Sequence, residues 1–151
     1  MYKFKNSQIN FLKADLGNLT ADLYNPAQFS KYFTELAPTI LSAFNSNNST
    51  IILNRGWVTV YDKRLSYSNT VEMHTHSDPV HDALFLSHGN HVLIQVLETG
   101  KSKEYITVVE NGTESDVLVE PGDVLVLPAT QMHGLKQTYD RLKVATFAIY
   151  L

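Results

Sequence analysis

Two patterns of hydrophobic positions divide the chain near residue 50. In the first part, four apolar side chains recur at the three- and four-residue spacing of an amphipathic helix: Phe29, Tyr32, Phe33 and Leu36. Asn25 and Pro26 are typical of the cap and the first turn of such a helix. Pro38 should end it, because proline lacks the amide hydrogen that a helix interior needs. A second short helix is expected over residues 39–44.

From residue 51 onward, the chain consists of short strand-like runs separated by turn signals. Eight runs of five to ten residues are predicted as strands: 55–61, 67–76, 82–87, 92–98, 104–110, 116–120, 123–127 and 142–151. Asn111-Gly112 is the strongest hairpin signal among the turns. Many short strands without intervening helices predict a closed β-barrel or a sandwich. A barrel of about eight strands has room for one small ligand.

This pattern predicts an all-β protein with one structural domain. Residues 51–151 form the barrel, and residues 1–50 form an N-terminal extension of strand and helix that packs on it. Residues 124–127 and 144–151 are apolar at positions that point to both faces of their strands, so both faces should be covered. The barrel interior covers one face. The N-terminal helices or a partner subunit cover the other.

Composition narrows the possible partners. A chain of 151 residues with 44% hydrophobic content fits one globular domain. The net charge of −3, without a run of one sign, gives no electrostatic case for nucleic acid or an anionic membrane. The chain has no cysteine. Its first residues lack an apolar signal core, and no apolar run reaches membrane length. We therefore expect a cytoplasmic protein.

Three histidines carry the candidate chemistry. His74 and His76 end the run 67–76, and because alternate residues of a strand share a face, both side chains should point the same way. His133 follows 57 positions after His76. Imidazole is the commonest metal-binding side chain near neutral pH, so the three residues predict a metal site. Glu72 precedes the pair on the same face and is a candidate general base or hydrogen-bond partner beside the metal.

The segment that contains His133 resembles the second motif of the cupin superfamily. In that motif a glycine is followed after five residues by a proline, then by a second glycine and a histidine. The corresponding positions here are Gly122, Pro128, Thr130 in place of the second glycine, and His133. The first cupin motif contains a His-x-His pair and ends in a glycine, and His74, His76 and Gly89 match it. Its leading glycine is replaced by Ser68.

The resemblance also implies a fourth ligand, a glutamate that this chain lacks at the expected place. Counting back from Gly89, the place falls on Asp82, and counting forward from His76 it falls on His81. These two residues are adjacent and face opposite sides of a strand, so only one of them is expected to bind the metal. The Asp82 face continues through Leu84 and Leu86, as a barrel interior would. Forward spacing favours His81, and both alternatives stay open.

The resemblance implies a cupin-type β-barrel, a jelly-roll-like double-stranded β-helix, that holds one divalent transition metal ion: Fe, Mn, Ni or Zn. It implies a metal-dependent enzyme for a small molecule, either an Fe(II) dioxygenase or a metal-assisted isomerase, cyclase or lyase. The alternative is a non-catalytic metal- or ligand-binding cupin that acts as a sensor. Trp57, Tyr61 and Gln95 are candidates to line the pocket, since ligand sites combine apolar walls with a few polar groups. Many single-barrel cupins are dimers, and a homodimer is expected here.

Overall fold

The computed structural model describes residues 1–6, 22–23, 29–65, 70–76 and 89–151. These residues contain one α-helix, α1, over Ser30–Ala43. They also contain ten strands, with these bounds: β1 Tyr2–Lys5, β2 Asp22–Leu23, β3 Ile52–Asp62, β4 Val71–His74, β5 His91–Thr99, β6 Glu104–Glu110, β7 Thr113–Val119, β8 Asp123–Pro128, β9 His133–Leu135 and β10 Arg141–Tyr150.

The strands form two antiparallel sheets. One sheet has six strands in the order β1-β8-β5-β10-β3-β2, and the other has four in the order β4-β9-β6-β7. Apolar side chains from both sheets meet in one inner core, which includes Ile94 and Val144 from the larger sheet and Val108 and Leu135 from the smaller. The sheets therefore pack face to face, and the predicted all-β, jelly-roll-like class is confirmed.

The central strands of the larger sheet are buried on both sides. Along β5, Val92, Ile94 and Val96 point into the inner core between the sheets. Leu93 and Leu97 point to the opposite side, into an outer core. Alternate strand residues face opposite sides. A strand that is buried on both faces therefore needs an apolar residue at nearly every position.

Helix α1 supplies the cover of the outer face. Its buried stripe packs on Val126 of β8 and Phe147 of β10 and consists of Tyr32, Phe33, Leu36, Ala37, Ile40 and Leu41. The ring centroids of Phe33 and Phe147 lie 5.1 Å apart in an edge-on arrangement. The N-terminal region therefore covers the outer face of the larger sheet. A partner subunit was the alternative cover expected from the sequence. A homodimer stays a prediction.

The helix continues through Pro38, whereas the sequence predicted that it would end there. Pro38 lies on the exposed side of α1, and the buried stripe resumes after it with Ile40 and Leu41. The carbonyl group four residues earlier, which the proline cannot bond, belongs to exposed Thr34 and can be hydrated. Burial of the second half of the stripe therefore outweighs the missing hydrogen bond. Among the described residues, no helix is long and apolar enough to cross a membrane.

The predicted hairpin at Asn111-Gly112 is present between β6 and β7. Both residues have positive φ, 52° and 77°, as a two-residue turn of type I′ requires. Three short strands were not among the eight predicted: β1, β2 and β9. β1 lies at the edge of the larger sheet beside β8, so the N-terminal region contributes a strand as well as a helix.

Candidate metal centre

The three histidines come together on and beside the smaller sheet. His74 of β4 lies directly opposite His133 of β9 in the strand register. His76 lies two residues beyond the end of β4, where its backbone N–H donates a hydrogen bond of 2.9 Å to the carbonyl of Ala129. Strand pairing thus fixes two of the rings, and a backbone contact with the turn after β8 fixes the third.

The imidazole Nε2 atoms converge on one point. The Nε2 atom of His76 lies 3.2 Å from that of His74 and 3.0 Å from that of His133. Two ligands that bind one transition ion at about 2.1 Å and at right angles lie about 3.0 Å apart. The observed separations fit three nitrogen ligands of one divalent ion, and among the described residues these three form the group that could hold a metal ion.

Hydrogen bonds at the far side of two rings orient them for this role. Nδ1 of His74 lies 2.8 Å from the carbonyl oxygen of Glu72, and Nδ1 of His133 lies 3.1 Å from that of Gln131. A carbonyl oxygen only accepts, so each Nδ1 carries a hydrogen, which leaves Nε2 as the ring atom that can bind a metal ion. Such outer hydrogen bonds are typical of metal-binding histidines.

The electrostatics of the cluster favour a bound cation. Burial lowers the pKa of His133 to about 4, against a smaller opposing effect of its hydrogen bond to Gln131, so the ring is neutral near pH 7. His76 can donate a hydrogen at Nε2 to only one of its two neighbours. At least one of the two nitrogen–nitrogen contacts of about 3 Å therefore has no hydrogen directed along it, and a cation between the nitrogens would relieve it.

A β-bulge separates Glu72 from the ligand face. The register pairs Val71 with Leu135 and His74 with His133, so β4 has one extra residue over this interval. As a result Val71 and His74 both line the cavity, although an odd number of positions separates them. The side chain of Glu72 is exposed and does not line the cavity. This corrects the placement predicted from strict alternation, because the bulge changes which residues share a face.

A cavity of about 180 Å³ opens beside the histidines. Trp57 lies at the metal end, where its ring is stacked on His76 with 5.8 Å between centroids. Tyr61 lies further along the same strand, and burial raises the pKa of its hydroxyl. The other described side chains of the wall are mostly aliphatic: Val71, Ile94, Ile106, Leu135, Leu142, Val144 and Thr146.

Gln95 does not line this cavity. It lies on β5 between two inward residues, Ile94 and Val96, so its side chain points to the outer core beneath α1. There its Oε1 accepts hydrogen bonds from Asn6 at 2.9 Å and from the hydroxyl of Tyr32 at 3.0 Å. The sequence suggested a pocket residue because β5 is apolar on both faces, and that pattern does not tell which face is the interior.

His81 and Asp82, the alternatives for a fourth ligand, lie outside the described residues. Thr146, in contrast, lies within the described residues, and the sequence did not predict it as a site residue. It lies on β10 opposite Trp57 and lines the cavity. The sequence feature that could have identified it is a single hydroxyl side chain among the otherwise apolar residues 144–149 of that strand.

Neither the family models nor the curated proteins contain a match to this chain. Many solved structures resemble it, among them three that each match more than nine-tenths of its length. A 2OG-Fe(II) oxygenase family oxidoreductase from Burkholderia pseudomallei has a TM-score of 0.66 at 11% identity, over 93% of this chain and 76% of its own. A prolyl-4-hydroxylase from Pseudomonas putida has a TM-score of 0.65 at 10% identity, over 97% and 83%.

The third is HygX from Streptomyces hygroscopicus, whose structure contains nickel and 2-oxoglutarate. It has a TM-score of 0.62 at 18% identity, over 97% of this chain and 78% of its own. At these identities the likeness concerns the fold. The chain therefore has the jelly-roll double-stranded β-helix that these oxygenases share, in agreement with the cupin-type barrel predicted from its two motifs.

Proposed function

We propose that this protein is a metal-dependent oxygenase for a small organic molecule, with His74, His76 and His133 as ligands of one divalent transition ion. The observation that carries the proposal is the convergence of three Nε2 atoms, at 3.0 and 3.2 Å, beside a cavity large enough for a small substrate. A fourth ligand from His81 or Asp82 is part of the proposal.

Iron(II) is the ion that we propose, and when bound it would supply the activation of dioxygen. Support comes from the structural neighbours, two of which are a 2OG-Fe(II) oxygenase family member and a prolyl-4-hydroxylase. Manganese, nickel and zinc suit the same nitrogen donors. The nitrogen ligands therefore fit each of these ions equally, and the proposal of iron rests on the fold.

The residues of the chain contribute orientation and charge. The backbone carbonyls of Glu72 and Gln131 hold two imidazoles as neutral ligands with Nε2 exposed to the ion. Because the three described ligands are neutral, they leave the charge of the ion to be balanced by a fourth ligand and by the substrate. The aliphatic wall excludes water and strengthens polar interactions inside the cavity.

The proposed reaction is tested by oxygen uptake. Protein reconstituted with Fe(II) is offered a panel of diketones, catechols and thiols, each with and without 2-oxoglutarate, and zinc-loaded protein is the matched control. We expect substrate-dependent uptake by the iron form alone. With labelled dioxygen, mass spectrometry should find label in the product. Turnover of a substrate at equal rate under argon would instead identify a metal-assisted isomerase, cyclase or lyase, and tight binding without turnover would identify a binding protein.

The ligand assignment is tested by substitution. His133→Ala should reduce metal content to less than about a tenth, because it removes one of three described ligands and breaks the cluster. Glu72→Gln is the matched control on the same strand pair, since its exposed side chain leaves the backbone carbonyl intact. It should keep the metal and change the rate less than a few-fold. Retained metal with a rate loss of about 10²-fold or more would make Glu72 the general base.

A further inference from the structure

Thr146 is a buried polar residue whose hydroxyl has no hydrogen-bond partner within the described part of the chain. Only 7% of its surface is exposed, and it lines the cavity beside the histidines. A buried hydroxyl without a partner is unfavourable, because it has given up its hydrogen bonds to water. Such a group in a cavity wall points to a bound molecule that completes its hydrogen bonding.

The neighbours on β10 show that the hydroxyl is not needed to fill space. Leu142 and Val144 precede Thr146 on the inner face, and both belong to the inner apolar core. Valine has the shape of threonine with a methyl group in place of the hydroxyl, so it would fit the same position. A hydroxyl at this point therefore adds hydrogen-bonding capacity and no packing.

The register fixes where along the cavity the hydroxyl lies. Thr146 pairs with Trp57 on β3 and with Ile94 on β5. Trp57 is stacked on His76, so Thr146 belongs to the layer next to the metal ligands. Tyr61 pairs with Leu142, four residues away along both strands, or about 13 Å. The cavity thus has a polar end near the ligands and a mostly aliphatic wall beyond it.

We infer that Thr146 anchors the polar oxygen of a ring-sized, otherwise apolar molecule and so determines the specificity of the site. A cavity of about 180 Å³ matches this size, since an apolar cavity of about 150 Å³ takes up benzene. Threonine both donates and accepts, so the oxygen can belong to a hydroxyl or a carbonyl group. The inference rests on the proposed function in taking this cavity as the substrate site and the three histidines as its metal site.

Phenol and toluene are matched probes, because they share a shape and differ by a hydroxyl in place of a methyl group. Calorimetric titration of zinc-loaded protein should give a preference for phenol of about fivefold to tenfold. Thr146→Val should bring the ratio to about one and leave toluene affinity equal or higher. Thr146→Ser keeps the hydroxyl and should keep most of the preference. Both variants should retain full zinc content, which shows that the site is intact.

Two further readouts make the inference falsifiable. Phenol can also bind through the metal, and in that case its preference would survive in Thr146→Val and the inference would be overturned. Failure of both probes to bind wild-type protein would equally overturn it. In the absence of any probe, Thr146→Val should raise Tm by a few degrees, and a lower Tm would reveal a structural hydroxyl instead. None of these measurements needs dioxygen, so they are independent of the test of oxygenase activity.

Discussion

The buried polar side chains of the described residues include some with partners inside the fold and others that face the cavity. Gln95 represents the first kind. Its amide is fully buried, accepts hydrogen bonds from Asn6 and Tyr32, and donates to the backbone carbonyls of Val96 and Asp123. It therefore joins β1, α1 and β8 to β5. Thr146 represents the second kind. Gln95 connects elements of the fold, whereas Thr146 is proposed to bind a ligand.

Gln95→Ala should lower the free energy of unfolding by about 2–4 kcal/mol, because it removes an acceptor shared by two buried donors and creates a cavity. Tyr32→Phe is the smaller, matched change. It removes one donor while Asn6 still bonds to Gln95, so its cost should be about 1 kcal/mol. Urea denaturation measures both. Loss of metal in Gln95→Ala would contradict the assignment of this residue to the outer core.

At the scale of elements, the pairing of β4 with β9 forms the candidate metal centre. These short strands hold His74 opposite His133, and the bulge in β4 turns Val71 and His74 to the same side. Gly134 lies where the backbone of β9 closely approaches that of β4. A Cβ atom added there would lie 2.7 Å from the carbonyl oxygen of Val71 and 3.1 Å from that of Glu72. The second of these carbonyls is the one that orients the ring of His74.

Gly134→Ala should therefore weaken metal affinity about tenfold or more, since the strands must separate and the hydrogen bond to His74 must lengthen. Gly112→Ala is the control. It lies in the hairpin turn with φ of +77° and open space around it, so it should cost about 1 kcal/mol of stability and leave metal affinity unchanged. Competitive titration with a chromogenic chelator measures the affinity. Equal effects of the two substitutions would argue against the close approach as the cause.

At the scale of the whole molecule, the proposed metal would link segments that are distant in the chain. His76 and His133 are separated by 57 positions, and their Nε2 atoms meet only when β4 and β9 pair and the turn at Ala129 is in place. The unfolded chain does not hold these ligands together. Binding of the proposed metal would therefore be coupled to folding, and the ion would stabilise the folded state by mass action.

Removal of the metal with a chelator should lower Tm. Free metal at about a hundred times its Kd adds about 2.7 kcal/mol. For a chain of this size that corresponds to about 5–10 °C. Scanning calorimetry with and without chelator measures the difference, and His133→Ala should show almost none. A metal-dependent shift of the same size in His133→Ala would mean that the ion stabilises the protein from another site.

Local sequence patterns by themselves determined the all-β class, the Asn111-Gly112 hairpin and the candidate ligands His74, His76 and His133. Each of these depends on interactions between near neighbours or on a motif with a defined spacing. The outer cover of the larger sheet was predicted as one of two alternatives, because an apolar face shows that it is covered and does not show by what. The tertiary structure assigned that cover to α1.

Three outcomes were decided only by the tertiary structure. The faces of β5 are both apolar, so only the packing of α1 on one of them put Gln95 outside the cavity. The bulge in β4 depends on its pairing with β9, and it moved Glu72 off the ligand face. The helix passed through Pro38 because burial of Ile40 and Leu41 against the sheet outweighs a lost hydrogen bond. In each case the deciding free energy comes from contacts between residues that are distant in the chain, which no local pattern records.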